Sequence, residues 1–173
     1  MIAIVEDLLA LSELEAPGMK PAKTSLDVRG LAGTILKLFE RRAAEKGIAL
    51  TLEAPAGLPA VQADPVQIEG LLLNLVDNAV KFTDRGGVTI RLGAKEGRFL
   101  IEVADTGVGI DADHLPRVFE RFYVADKSRS KKLGGTGLGL AIVKHIAQAH
   151  DGAVSVKSRV GEGTTVTVNL PLA

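Results

Sequence analysis

The 173-residue sequence predicts an α+β protein, a two-layer α/β sandwich with three longer helices on one face of a mixed, mainly antiparallel sheet. Three observations predict it. Long segments near 29–46, 65–84 and 137–149 repeat their apolar residues at helical spacing. Shorter alternating segments near 48–53, 61–63, 88–94, 98–104, 153–158 and 164–170 read as strands, in runs. Glycine-bearing turns at Gly86-Gly87, Gly97 and Gly161 to Gly163 join neighbouring strands.

In chain order, the first 15 or so residues carry Ile4, Val5, Leu8, Leu9 and Leu11 at helical spacing. A helix this short is marginal alone in water, so its apolar face calls for a partner. Ala16-Pro17-Gly18 stops it, and a linker runs to about Lys23. Leu26 to Val28 starts a strand, and Asp27 caps the helix of about 29–46, which ends at Gly47. Asp64-Pro65 supplies an acceptor for free amides and a proline where no donor is needed, so a helix starts there and runs past Lys81. A short helix around 113–120 and a charged stretch from Asp126 to Leu133 precede the last helix, which ends at Asp151-Gly152.

Composition narrows the possibilities. The length suits one domain with a proper core. With 46% hydrophobic residues but only 3% aromatics, that core is built of Leu, Val, Ile and Ala. Twenty-one acidic residues balance 21 basic ones, which argues against nucleic-acid binding by bulk charge. The absence of cysteine excludes disulfides, thiol catalysis and cysteine-ligated zinc. No apolar run reaches membrane-spanning length and no cleavable leader is visible, so a cytoplasmic location is expected.

Three motifs carry chemistry. On the helix from Asp64, Asn74, Asn78 and Lys81 fall within about a quarter turn of one another at 100° per residue. Leu72, Leu75, Val76 and Ala79 take the opposite side and are expected to bury on the sheet. An amide oxygen suits magnesium bridging phosphates, and a lysine meets phosphate as a point charge. Taken alone, such an edge is as readily a solvated polar face. Next, the strand over 99–104 delivers Asp105 to its end, followed by Thr106-Gly107-Val108-Gly109-Ile110. A carboxylate only accepts, so it suits the amine of adenine and rejects the carbonyl of guanine, while the glycines clear space for a flat ring. Finally, Lys127, Arg129, Lys131 and Lys132 lead into Gly134-Gly135-Thr136-Gly137-Leu138-Gly139-Leu140 at a helix start, where free amides bind anions. Neither a Walker lysine nor a preceding strand accompanies these glycines, which sets aside the two better-known phosphate motifs.

In this order the segments resemble the asparagine box and two glycine boxes of the histidine kinase branch of the GHKL ATP-binding superfamily, from about residue 23 to the end. The resemblance implies a Bergerat-type fold, ATP and Mg2+ as ligands, and a domain division of 1–22 as the end of a dimerisation helix plus linker and 23–173 as the catalytic domain. It implies that Asn78 ligates magnesium, that Asn74 and Lys81 lie at the phosphates, and that Asp105 holds adenine, with Thr164 of Gly161-Glu-Gly163-Thr164 reaching it through water. Gly107, Gly109, Ile110, Phe122, Tyr123, Lys127, Gly135, Thr136, Gly137, Leu138, Gly139 and Leu140 complete the implied ATP site. Phe119 to Tyr123 resembles the phenylalanine box that packs a mobile lid, with at least one of its two Phe expected in the core. Hydrolysing relatives such as gyrase, mismatch-repair ATPases and the heat-shock chaperone have a glutamate general base where this chain has Asn74. An amide cannot take that proton, so slow hydrolysis is expected.

Two features depart from the family pattern. Val124 stands where arginine often follows the tyrosine, so Arg121, Lys127 or Arg129 is expected to replace that cation, or transfer is weaker. The only histidines, His114, His145 and His150, lack the acceptor context and read as structural or surface residues. The implied partners are a dimerisation domain bearing the acceptor, in cis in a longer protein anchored in the inner membrane, and a response regulator receiver domain. A regulatory pseudokinase of the same fold and an anti-sigma-factor serine kinase are the alternatives.

Overall fold

The computed structural model describes residues 5, 7–9, 11–12, 20–126 and 133–172. Ile4, the stop at 16–18, and Lys127, Arg129, Lys131 and Lys132 lie outside the described residues.

The elements run β1 (Thr24–Leu26), α1 (Val28–Lys46), β2 (Ala49–Glu53), β3 (Val61–Ala63), α2 (Pro65–Phe82), β4 (Gly87–Lys95), β5 (Arg98–Asp105), a 3-10 turn (Leu115–Arg117), α3 (Gly139–Ala149), β6 (Ala153–Arg159) and β7 (Gly163–Pro171). Strands β2-β4-β5-β7-β6 form one sheet in which only β2 and β4 are parallel, so it is mixed and mainly antiparallel as expected. β1 and β3 pair separately as a small antiparallel ribbon, which the sequence pattern did not reveal because each strand is three residues long.

Helix α2 packs against both α1 and α3. Its apolar stripe Ile68, Leu71, Leu72, Leu75, Val76, Ala79 and Val80 is buried, including all four residues expected there. The facing sheet contributes Val88, Ile90, Leu92, Phe99, Ile101, Val103, Val166, Val168 and Leu170. Each such aliphatic side chain stabilises the fold by about 1.5–3 kcal/mol. Arg91, between Glu53 and Glu102 at 2.9 and 2.7 Å, lies on alternate positions of the same strands and is exposed.

The caps follow the sequence closely. Asp27 Oδ1 accepts from the amides of Arg29 and Gly30, and Gly47 closes α1 at φ 66°. Asp64 caps α2 through Val66 and Gln67, while its other oxygen accepts from the Ala22 amide at 2.9 Å. The short helix expected over 113–120 is a single 3-10 turn. Pro116 removes a donor there, Phe122 takes φ 59°, and the turn buries no side chain to hold a longer helix. Helix α3 starts two residues later than its pattern suggests because Gly137 sits at φ 73°. In the N-terminal segment Leu11 is buried, whereas Val5, Leu8 and Leu9 are exposed.

His150 is 1% exposed and both ring nitrogens are occupied. Nε2 accepts from the Asp64 amide at 3.0 Å, so the proton sits on Nδ1 and is donated to Ile146 O at 2.8 Å. Burial holds its pKa below the ordinary value, with the Ile146 contact opposing. Between that lowered value and about 6.5, the unfolded chain binds a proton that the native chain does not, so stability rises with pH. Denaturation midpoints are therefore expected to fall as pH drops below about 6.5, and to fall less steeply in His150→Asn. Equal slopes would disprove the assignment. Buried and bonded at both nitrogens, His150 is a structural residue.

Candidate functional site: a nucleotide cleft

The end of β5, one edge of α2 and the start of α3 enclose a cleft of about 490 Å³. Asn74, Asn78 and Lys81 line it from α2, Asp105 from β5, Gly109 and Ile110 from the loop after it, and Gly135, Thr136, Gly137, Gly139 and Leu140 from the second glycine cluster. Tyr123 and Thr164 line it too, so sequence-predicted residues from five separate segments converge.

Asp105 is a partly buried carboxylate whose Oδ1 accepts from the Gly107 amide at 2.8 Å and the Thr164 amide at 3.3 Å. Oδ2 has no protein donor among the described residues, which leaves an acceptor for a ligand amine. Burial pushes the Asp105 pKa up, and the two amides only partly offset that.

Gly107 and Gly109 also allow a close backbone approach. A Cβ on Gly107 would run into Phe82 O, and one on Gly109 into Arg159 O. The glycines let the loop lie on the end of α2 and on the β6–β7 turn, with Val108 N donating to Phe82 O and Gly161 N to Val108 O. Gly107 accordingly does not line the cleft.

On α2, Asn74 Nδ2 donates to Gly70 O at 2.8 Å, which fixes the amide orientation because a carbonyl accepts only. A Cβ on Gly139 would stand 2.9 Å from Asn74 Oδ1 and 3.4 Å from Asn78 Nδ2. The start of α3 is thus set directly against both amides, bringing its free N–H groups to the cleft.

Asp77 is one of the cleft residues that sequence reasoning missed. It lines the cleft, binds Lys81 at 3.0 Å and Arg42 of α1 at 2.7 Å. Burial raises its pKa, but the two cations outweigh that and hold it below the ordinary value. Its position four residues before Lys81 was the available signal. Lys46 meanwhile donates to Val80 O and Lys81 O, tying the end of α2 to α1.

Other expectations need correcting. Leu138 is fully buried in the core, where its side chain packs away from the cleft. Phe122 is 59% exposed and does not line the cleft, because its left-handed backbone turns the chain outward. Phe119 is half-buried, so neither Phe is a core residue; Val118 is the buried one. Tyr123 is held instead by His114 Nδ1 and by the Arg117 guanidinium 4.3 Å above its ring. Thr136 was expected in the ATP site, and its hydroxyl donates to Asp7 at 2.7 Å and accepts from the Leu138 amide. Lys127 lies outside the described residues, and Val124 lines the cleft.

Among the described residues no group of three or more His, Cys, Asp or Glu side chains gathers to hold a metal ion, and no helix is long and apolar enough to cross a membrane.

The chain is similar to known proteins over nearly its whole length. The chain is 37% identical over 177 residues to the "Non-motile and phage-resistance protein" of Caulobacter vibrioides, covering 99% of this chain and 21% of that protein. It is 38% identical over 169 residues to the sensor-like histidine kinase SenX3 of Mycobacterium bovis, covering 97% of this chain and 41% of that protein. The chain therefore spans between about a fifth and two fifths of these relatives. The full-length structure of ShkA in complex with AMPPNP superposes with a TM-score of 0.88 at 36% identity, over 99% of this chain and 36% of that one. The fold is that of histidine kinase catalytic domains. Residues 63–173 match the family described as Histidine kinase-, DNA gyrase B-, and HSP90-like ATPase, and the chain belongs to that family.

Proposed function

We propose that this chain is the Mg-ATP-binding catalytic domain of a two-component sensor histidine kinase, passing the terminal phosphoryl of ATP to a histidine on a dimerisation helix. The observation that carries the reading is the convergence of an acceptor carboxylate, two asparagine amides, a lysine and a helix N-terminus on one cleft. Residues 1–22 are read as the end of a dimerisation helix plus linker, and 23–173 as the catalytic domain. A response regulator receiver domain is the onward partner, and the cytoplasm the location.

The chemistry asked of the protein is positioning and charge neutralisation. Asp105 accepts from the base amine. Lys81, kept in place by Asp77, and the first amides of α3 face the phosphates. An acceptor imidazole nitrogen attacks the γ-phosphorus as the bond to the β-phosphate oxygen breaks, ADP leaves, and the imidazole proton passes to solvent. The donor set fits magnesium: neutral amide oxygens, with Asp77 on the same helix already paired to Lys81 and Arg42, suit an ion carried largely by phosphates and water, with Asn78 as its protein ligand. Bound there, the ion would neutralise charge on the phosphates. The Asn74 amide, anchored to Gly70 O, is not basic enough to take a proton from water at neutral pH, so it does not act as a general base.

Mixing the chain with an acceptor-bearing dimerisation domain and labelled ATP tests this. An acid-labile phosphoprotein is expected; an acid-stable one would favour the serine kinase, and none at all the regulatory pseudokinase. Val124→Arg is expected to raise transfer several-fold, since it adds a cation at the cleft. No gain would show that another residue already supplies that charge.

A further inference from the structure

Ser158 lies on β6 opposite Thr164 of β7, and its hydroxyl oxygen is the meeting point of three hydrogen bonds. The Ile110 amide, the Gly163 carbonyl and the Thr164 hydroxyl each stand 2.8 Å from it. A serine hydroxyl has one hydrogen and two lone pairs. The Gly163 carbonyl only accepts, so it takes the hydrogen. The Ile110 amide only donates, so it takes one lone pair. Thr164 can then meet the second lone pair only as the donor. Its single hydrogen is thereby committed to Ser158, and toward the cleft it lines Thr164 Oγ1 offers lone pairs alone. Asp105, ionised and bonded to the Thr164 amide, is likewise acceptor-only.

We propose that Ser158 is a positioning residue for base selection: by holding the Thr164 hydrogen out of the cleft, it makes the base end of the site accept an amine and refuse a carbonyl. Ser158 does not itself line the cleft and acts through Thr164. The inference rests on the nucleotide-binding reading and adds to it the source of its purine preference. It also explains why the loop after β5 and the β6–β7 turn are joined at this point, since one side chain sets the Ile110 amide, the Gly163 carbonyl and the Thr164 hydroxyl together.

The test is calorimetric titration with ADP and with inosine diphosphate, which carries a carbonyl in place of the adenine amine. The unsubstituted chain is expected to prefer ADP. In Ser158→Ala the Thr164 hydrogen is free to turn into the cleft, and the preference is expected to shrink about three- to tenfold, the range of one hydrogen bond. Ser158→Thr, which keeps the hydroxyl, is expected to restore it. A merely structural role would weaken both ligands alike and leave their ratio unchanged, which would overturn the proposal. If alanine prevents folding, Ser158→Cys is read the same way. Thr164→Val supplies an independent arm: the double variant with Ser158→Ala is expected to show no smaller preference than Thr164→Val alone, whereas additive losses would refute action through Thr164. Failure of the unsubstituted chain to bind either nucleotide would remove the nucleotide reading and this inference with it. An unchanged ratio in a variant that still binds would remove only the role of Ser158.

Discussion

Asp105→Asn is expected to weaken ADP binding about a hundredfold without destabilising the fold. The loss follows from exchanging an acceptor for a donor. In the native chain Oδ1 is occupied by the Gly107 and Thr164 amides, leaving Oδ2 for the base. An asparagine oxygen still satisfies both backbone amides, so the loop keeps its anchor, but its NH2 group now faces the ligand amine. A hydrogen bond to a charged group is worth about 1.5–3 kcal/mol, and two opposed donors add to the loss. Stability moves the other way. Because burial raises the Asp105 pKa, the native state holds this proton more tightly than the unfolded state. Its contribution is full below the unfolded value, near 3.9, and is lost as pH rises through the raised native value. At neutral pH the ionised carboxylate therefore costs stability, and asparagine removes that cost. Calorimetry should also show native affinity falling as acid protonates Asp105, a dependence absent from the variant. Unchanged affinity in Asp105→Asn would break the assignment of the base end of the cleft.

Asn78→Ala is expected to reduce phosphotransfer to a supplied acceptor domain by roughly a hundredfold, the scale of losing alignment of a reacting group. It should also abolish the magnesium dependence of triphosphate binding while leaving ADP affinity in the absence of magnesium nearly intact. Asn78 stands on the polar edge of α2 next to Gly139, so its truncation opens space without disturbing the buried stripe from Ile68 to Val80. Retention of magnesium-dependent affinity would move the ion to other ligands, Asp77 first, since that carboxylate lines the same cleft. The unfolding midpoint should change little, which separates a lost ligand from a damaged helix.

The two readings interlock through α2. Asp77, taken up on one side by Arg42 and on the other by Lys81, limits how much of the Lys81 charge it cancels. The cleft thus keeps part of the Lys81 charge and an uncompensated Asp105 oxygen, which suit the phosphates and the base of the nucleotide proposed above.

The sequence by itself determined the elements whose physics is local. Asp27 and Asp64 before helix starts, Gly47 at a left-handed close, the stripe Leu72, Leu75, Val76 and Ala79, and the alternation of β4 through β7 were all legible, because caps and periodicity depend on neighbours a few residues away. The cleft's membership was largely legible too, from motif order. Tertiary structure alone decided what depends on distant contacts. It turned Phe122 outward and sank Leu138 into the core, and it packed Gly107 and Gly109 against Phe82 and Arg159. It also gave His150 the amide of Asp64, 86 residues away, and shared Asp77 between two helices. Such pairings form between segments that only the finished packing brings together, and no short window of sequence encodes which donor will meet which acceptor.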